Sequence, residues 1–191
     1  PLFRDYVELP RPEQGLSVER IHVENVAVSY PGYAPVLKDI SFEAFKGQVI
    51  GVTGSIACGK TALAKTFIGD ACYEGCIRLD GRDLRELSDV EKSGLIAYMG
   101  HEPELISDSV RENILLGEQA DTAELLKLVH MDGEVGLMPE GEDTYVGSGG
   151  QQLSGGQQDR ISLARTLCHS RSIMILDDPF SAVDQRTERE I

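Results

Sequence analysis

Apolar and polar positions alternate from Ile21 through Val23, Asn25-Val26, Val28 and Tyr30, the period of two that predicts a β-strand. Pro31-Gly32 then reads as a turn, and Val36-Leu37, Ile40 and Phe42 continue apolar structure as far as Gly47. Val49-Ile50-Gly51-Val52-Thr53 predicts a strand leading into Gly54, and residues 61–68 (TALAKTFI) predict a helix leading out of Thr61. Ile77-Arg78-Leu79, followed by the Asp80-Gly81 turn, predicts a further strand that joins the early ones in a small antiparallel sheet. Leu84, Leu87 and Val90 precede Leu95-Ile96-Ala97-Tyr98-Met99, which predicts a second central strand. Helices are expected over residues 109–116, where Ser109 and Glu112 fit a capping box, and over about 121–130, with apolar Ala123, Leu125-Leu126 and Leu128-Val129. Residues 131–153, rich in glycine and acids, read as loop. Ser154 is then an N-cap candidate for a helix whose buried stripe is Ile161, Ala164-Arg165 and Cys168. Ile173-Met174-Ile175-Leu176 reads as a buried parallel strand that ends in Asp177-Asp178. Residues 1–19, with Pro10, Pro12 and Gly15 among charges and no periodicity, read as a linker or extended arm.

Composition narrows the class. The 191 residues suffice for one domain with a real core, and 41% apolar with 26% charged content is that of an ordinary globular chain. No run approaches a membrane span and no signal peptide is visible. The chain begins at Pro1 rather than Met, so it is expected to be a piece of a longer one. A net charge of −14 argues against nucleic acid as a partner, since binding to a phosphate backbone needs a basic stripe. Of the four cysteines, Cys72 and Cys76 have half-site spacing for zinc but no second Cys or His pair, so reduced thiols are the simpler reading.

The central chemistry lies at Gly54-Ser55-Ile56-Ala57-Cys58-Gly59-Lys60-Thr61, the Gly-x-x-x-x-Gly-Lys-Thr P-loop pattern in a strand–loop–helix context. Glycines let the backbone wrap closely and turn its N–H groups onto phosphate oxygens, and the helix N-terminus adds partial positive charge. Lys60 can reach the β- and γ-phosphates, and the Thr61 hydroxyl can ligate Mg²⁺. The expectation is a nucleoside-triphosphate binder, against the plainer alternative of a glycine-rich turn. Asp177, an acid at the C-terminal end of an apolar strand, is then the expected Mg²⁺ partner, with Asp178 beside it. Ser154-Gly155-Gly156-Gln157 at a helix start is a second anion-binding arrangement, or else a capping motif only. Tyr30 suits either an ordinary core position or stacking on a base.

Taken together, these segments resemble the nucleotide-binding domain of an ATP-binding-cassette (ABC) transporter, over nearly the whole chain from about residue 20. Leu153-Ser154-Gly155-Gly156-Gln157 matches that family's signature fully. Tyr30, in Ser29-Tyr30-Pro31-Gly32, resembles the adenine-stacking aromatic, residues 96–103 (IAYMGHEP) the Q-loop, and Ser181-Ala182-Val183-Asp184 the D-loop. Residues 108–114 (DSVRENI) and 144–150 (TYVGSGG) resemble exporter segments. The resemblance implies an α/β fold: a RecA-like P-loop core with an antiparallel β-subdomain over 20–101 and 166–191, an inserted helical subdomain over 102–165, and the arm 1–19 arriving from a transmembrane domain. It implies ATP and Mg²⁺ as cofactors, with Gly54 through Thr61 and Thr66 on the nucleotide and Thr61, His101 and Asp177 on the metal. Lys60, His101 and Asp178 would be the catalytic group. It also implies head-to-tail pairing with a second such domain, whose ATP this signature and the D-loop residues Ser181, Ala182 and Asp184 would serve. The domain would sit on the cytoplasmic face of a membrane.

Three departures stand out. His101 replaces the Q-loop glutamine, and Asp178, one methylene shorter, replaces the catalytic glutamate. No histidine follows His169, so the switch histidine is absent, which reads as truncation. The first two fall on this domain's own half-site while the signature is intact. The expectation is therefore the degenerate half of a heterodimeric exporter. The alternatives are a homodimer using Asp178 as base, or a regulatory module in which ATP binds with little hydrolysis.

Overall fold

The alternation at the start of the chain becomes β1 (Arg20–Val28), which pairs antiparallel with β2 (Leu37–Phe45) on one side and β3 (Tyr73–Leu79) on the other. The computed structural model describes residues 15–30 and 32–181. Within β1 the buried positions run Val23, Val26, Val28, a slip of one residue from strict alternation. Its cause is a bulge: both ladders shift register beyond Val23, and Asn25 takes a left-handed φ of 49°. Asp80 and Gly81, both at positive φ, make the tight hairpin from β3 into β4 (Arg82–Asp83) that the sequence foretold, and the sheet order is β2-β1-β3-β4.

This sheet belongs to a first unit, residues up to 96 together with 171–173. It also contains α1 (Lys60–Ile68), which buries Ala62, Leu63 and Phe67, and α2 (Asp89–Leu95). A complete capping box starts α2, since Ser88 Oγ accepts from Glu91 N and the Glu91 carboxylate accepts from Ser88 N. That amide, with Arg82 and the Ser88 hydroxyl, holds the Glu91 carboxyl down from 4.5 to about 2. Arg85 likewise holds Asp83 at about 2. Both groups release their protons more readily folded than unfolded. Their contribution to stability is therefore complete above the unfolded pKa near 4 and disappears as pH falls through about 2. The melting midpoint should stay level down to about pH 5 and then drop. Glu91→Gln should melt lower than wild type at pH 7 and converge with it near pH 2. Parallel pH curves for the two proteins would rule this assignment out.

The second unit holds residues 97–170 and those from 174 onward. Its core is formed by α3 (Val110–Leu115), α4 (Thr122–Leu128), α5 (Asp132–Gly136) and α6 (Gly155–Cys168). Val110, Ile114, Val129, Met131, Val146, Ile161 and Ala164 are all fully buried in it. The expected α6 stripe is confirmed at Ile161 and Ala164. The expectation of plain loop over 131–153 fails, because Met131 and Val135 anchor the short helix α5 in this core. Buried Asn113 satisfies its whole amide: Oδ1 accepts from Ile106 N and Arg165, and Nδ2 donates to Ile106 O and Ser109 O. That clamp ties the segment before α3 to α6.

β5 (Ile96–Met99) pairs with β6 (Ile173–Leu176). Burial of β6 on both faces was expected, but Met174 and Leu176 stay 36% and 39% exposed. Two-sided burial requires layers on both faces of a sheet, and the described residues cover Ile173 and Ile175 better than their alternates. Most of the arm, residues 1–14, lies outside the described residues, as do Pro31, Ala182, Val183 and Asp184.

Candidate functional site

The P-loop lies in the first unit and closes on the N-terminus of α1. Gly59 is the N-cap at φ 97°, and a Cβ there would stand 2.8 Å from Leu37 Cγ, so only glycine fits. A Cβ on Gly54 would meet Cys58 Sγ at 2.5 Å, which shows how tightly the loop turns. Lys60 folds back over this turn, its Nζ donating to Gly54 O at 3.2 Å and Ser55 O at 3.3 Å, and it lies 3.9 Å from Cys58 Sγ. An ammonium held by two carbonyls beside a helix N-terminus marks the place for an anion.

The expected lead-in strand does not form. Residues 49–53 carry no strand and Val49 is 96% exposed. Extended backbone needs a neighbour for its ladder bonds, and none pairs with this run among the described residues; β-branched composition alone does not supply one. Thr66 is also corrected as a ligand contact: it is 1% exposed and its hydroxyl donates to Leu63 O at 2.6 Å, back-bonding within α1. Tyr30 lies beyond the end of β1 and is 43% exposed, which removes the core reading and leaves its ring available to stack.

Ala57 has a left-handed φ of 63°. A Cβ in that region costs about 1–2 kcal/mol, partly offset in a glycine variant by its freer unfolded chain, about 0.5–1 kcal/mol. Ala57→Gly should therefore raise stability by about 0.5–1 kcal/mol, read as a higher denaturant midpoint at unchanged slope. A midpoint at or below wild type would mean that position 57 is not held left-handed in solution.

The acidic group lies in the second unit. Asp177 N donates to Met99 O at 2.9 Å, extending the β5–β6 pairing by one residue and setting the carboxylate at the strand's end. Asp177 is 7% exposed and accepts from the Tyr98 hydroxyl at 3.4 Å. Tyr98 falls within the strand and the Q-loop-like stretch of the sequence, but nothing in an apolar run indicates which side chain will turn a hydroxyl to a carboxylate 79 residues away. Asp178 departs from the strand at φ 55° and is exposed, its Oδ2 standing 3.7 Å from His101 Nδ1. The structure thus brings together the two substituted positions. Ser181 donates its hydroxyl to Asp159 at 3.4 Å.

The signature opens α6. Ser154 N donates to Gln157 Oε1 at 2.8 Å and Gln157 N donates to Ser154 Oγ at 3.3 Å, a complete capping box. Ser154 Oγ accepts in this box, so its own proton remains able to donate outward. The Thr61 hydroxyl in the first unit and the Asp177 carboxylate in the second are each hard oxygen donors of the kind Mg²⁺ takes. Among the described residues no three His, Cys, Asp or Glu side chains converge as a ready-made cage.

The profile of the family described as "ABC transporter" matches residues 37–181. The chain is 36% identical over 205 residues to P-glycoprotein 14 of Caenorhabditis elegans, covering 100% of this chain and 15% of that protein. It is 37% identical over 173 residues to a probable multidrug resistance ABC transporter ATP-binding/permease protein of Bacillus subtilis, covering 87% of this chain and 30% of that one. The solved structure of a bacterial Atm1-family ABC exporter with ATP bound superposes with a TM-score of 0.86 at 26% identity, over 100% of this chain and 35% of that one. The chain thus spans 15% and 30% of the length of these two relatives and 35% of the solved exporter. Among the described residues no helix is long and apolar enough to cross a membrane. A P-loop and, further along the chain, a capped signature agree with each of these likenesses: the chain belongs to the ABC transporter family and has the P-loop NTPase fold of its ATPase domains.

Proposed function

We propose that this chain is the ATP-binding domain of an exporter-type transporter and the catalytically degenerate half of a heterodimer. It would work at the cytoplasmic face of a membrane, coupled to a transmembrane domain of its own or a partner chain. Lys60 and the loop 54–61 bind the triphosphate, Tyr30 stacks on adenine, and Thr61 and Asp177 hold Mg²⁺, with His101 in the Q-loop position beside it. Mg²⁺ held by those oxygens would supply positive charge against the phosphates. The signature, 153–157, serves ATP bound to a second nucleotide-binding domain paired head to tail, with Ser181, Ala182 and Asp184 as the D-loop.

The observation that carries this reading is the contrast between the two half-sites. Ser154 and Gln157 form a complete capping box. The positions that would activate water hold Asp178 and His101, with Asp178 Oδ2 3.7 Å from His101 Nδ1. A carboxylate one methylene short of the glutamate it replaces is a poorly placed base.

The test is steady-state ATP hydrolysis by the full-length protein containing this chain, purified without other subunits. Negligible turnover, restored on adding a partner half with a glutamate base, is the expected result. Robust turnover by the protein alone would overturn the degenerate assignment and leave a homodimer in which Asp178 serves as base.

A further inference from the structure

A carboxylate outside the motifs sets the geometry of the signature. Arg160, 8% exposed on α6, spends its guanidinium on three acceptors. Nε donates to Gly156 O at 3.1 Å, Nη1 to His130 O at 2.7 Å, and Nη2 to Glu134 Oε1 at 2.7 Å. The other Glu134 oxygen, Oε2, accepts from Gln157 Nε2 at 2.7 Å. Gln157 Oε1 is thereby turned toward Ser154 N, which donates to it at 2.8 Å.

The direction of that amide matters. Both ends of a glutamine amide have nearly the same shape, and only the partners decide which end faces which way. A flipped Gln157 would point two donors, its own NH₂ and the Ser154 N–H, at each other and open the capping box. The box holds Ser154 Oγ at the head of the helix as an acceptor, without using its proton. Glu134 prevents the flip because a carboxylate only accepts, and Arg160 prevents Glu134 from turning away.

We infer that Glu134 is a positioning residue for the signature, acting through the side-chain amide of Gln157 to hold Ser154 in register for the phosphate of an opposing nucleotide. The inference rests on the reading of 153–157 as a phosphate-contacting segment. Neither position 134 nor its helix α5 belongs to any recognised motif, and residues 131–153 read from sequence as plain loop.

The experiment compares ATP turnover of the assembled full-length transporter carrying Glu134→Gln, Gln157→Ala, both, or Ser154→Ala. Nucleotide binding at this chain's own P-loop and the melting midpoint are measured alongside. Glu134→Gln keeps the volume, but when its one carbonyl oxygen serves Arg160 its NH₂ faces that of Gln157. Expected is a fall in turnover of about tenfold at saturating ATP, unchanged binding at the P-loop, and a double variant no worse than Gln157→Ala alone. If Glu134→Gln lowers the melting midpoint by more than about 5 °C, Glu134→Met with Arg160→Met removes the ion pair without stranding either charge, and the same loss is expected. Additive losses in the double variant, or turnover within about twofold of wild type for Glu134→Gln while Ser154→Ala is impaired, would overturn the role of Glu134 alone. Unimpaired Ser154→Ala would instead overturn the phosphate-contact reading beneath it.

Discussion

Asp178→Glu should raise ATP turnover at this chain's own nucleotide site by about 10- to 100-fold. The added methylene advances the carboxylate by roughly 1.5 Å, and a misplacement near 1 Å is worth on the order of 10²-fold in rate. Two local features favour a clean gain. The Asp178 side chain is 65% exposed, so a longer one meets no wall. Its backbone is already fixed at φ 55°, with Ser181 N donating to its carbonyl at 3.2 Å, so the direction of the side chain is set by the turn rather than by the carboxylate. The measurement is single-turnover hydrolysis in the assembled transporter, with the partner's P-loop inactivated so that only this site reports. No gain would show that the defect lies elsewhere, with His101 the next position to restore, and would favour a regulatory module in which ATP clamps and hydrolysis is dispensable.

Lys60→Ala should weaken binding of MgATP to this chain by about 10- to 100-fold. Lys60 Nζ rests on two loop carbonyls, Gly54 O and Ser55 O, within the turn that Gly54 and Gly59 make possible. A hydrogen bond to a charged group contributes about 1.5–3 kcal/mol, which converts to roughly that range of affinity. The loop itself should survive, because its shape is set by left-handed Gly59 and Ala57 and by the start of α1. The readout is equilibrium binding of a fluorescent ATP analogue beside a melting curve: loss of binding at an unchanged midpoint is expected. Full binding by Lys60→Ala would mean that the loop does not hold the triphosphate, and the nucleotide role of this domain would fall with it.

The chemistry was more legible in the sequence than the packing. A P-loop is a local object: its glycines, Lys60 and the first turn of α1 lie within residues 54–63, so spacing alone specifies it. The signature is local too, since a capping box links residues three apart and Ser154 with Gln157 forms one, whereas the box expected at Ser109 is only half made, Oγ accepting from Glu112 N. Turns were equally readable where backbone chirality decides, as at Asp80-Gly81.

Whatever depends on partners distant in the chain was not legible. Residues 49–53 have the composition of a strand, yet strand formation belongs to the pair, and no described neighbour takes their ladder bonds. Residues 131–136 look like loop, yet 132–136 become helical because a cluster built by α3, α4 and α6 receives Met131 and Val135. Thr66 fits a ligand contact by position, but helical periodicity turns it inward. Tyr98 toward Asp177, His101 toward Asp178 and Glu134 toward Gln157 are contacts across 79, 77 and 23 positions. Residue type and spacing thus fix a motif wherever the backbone closes its own hydrogen bonds within a few residues. Which side chains steady that motif is decided only when the chain folds back on itself, because a carboxylate or hydroxyl carries no record in sequence of the partner it will meet.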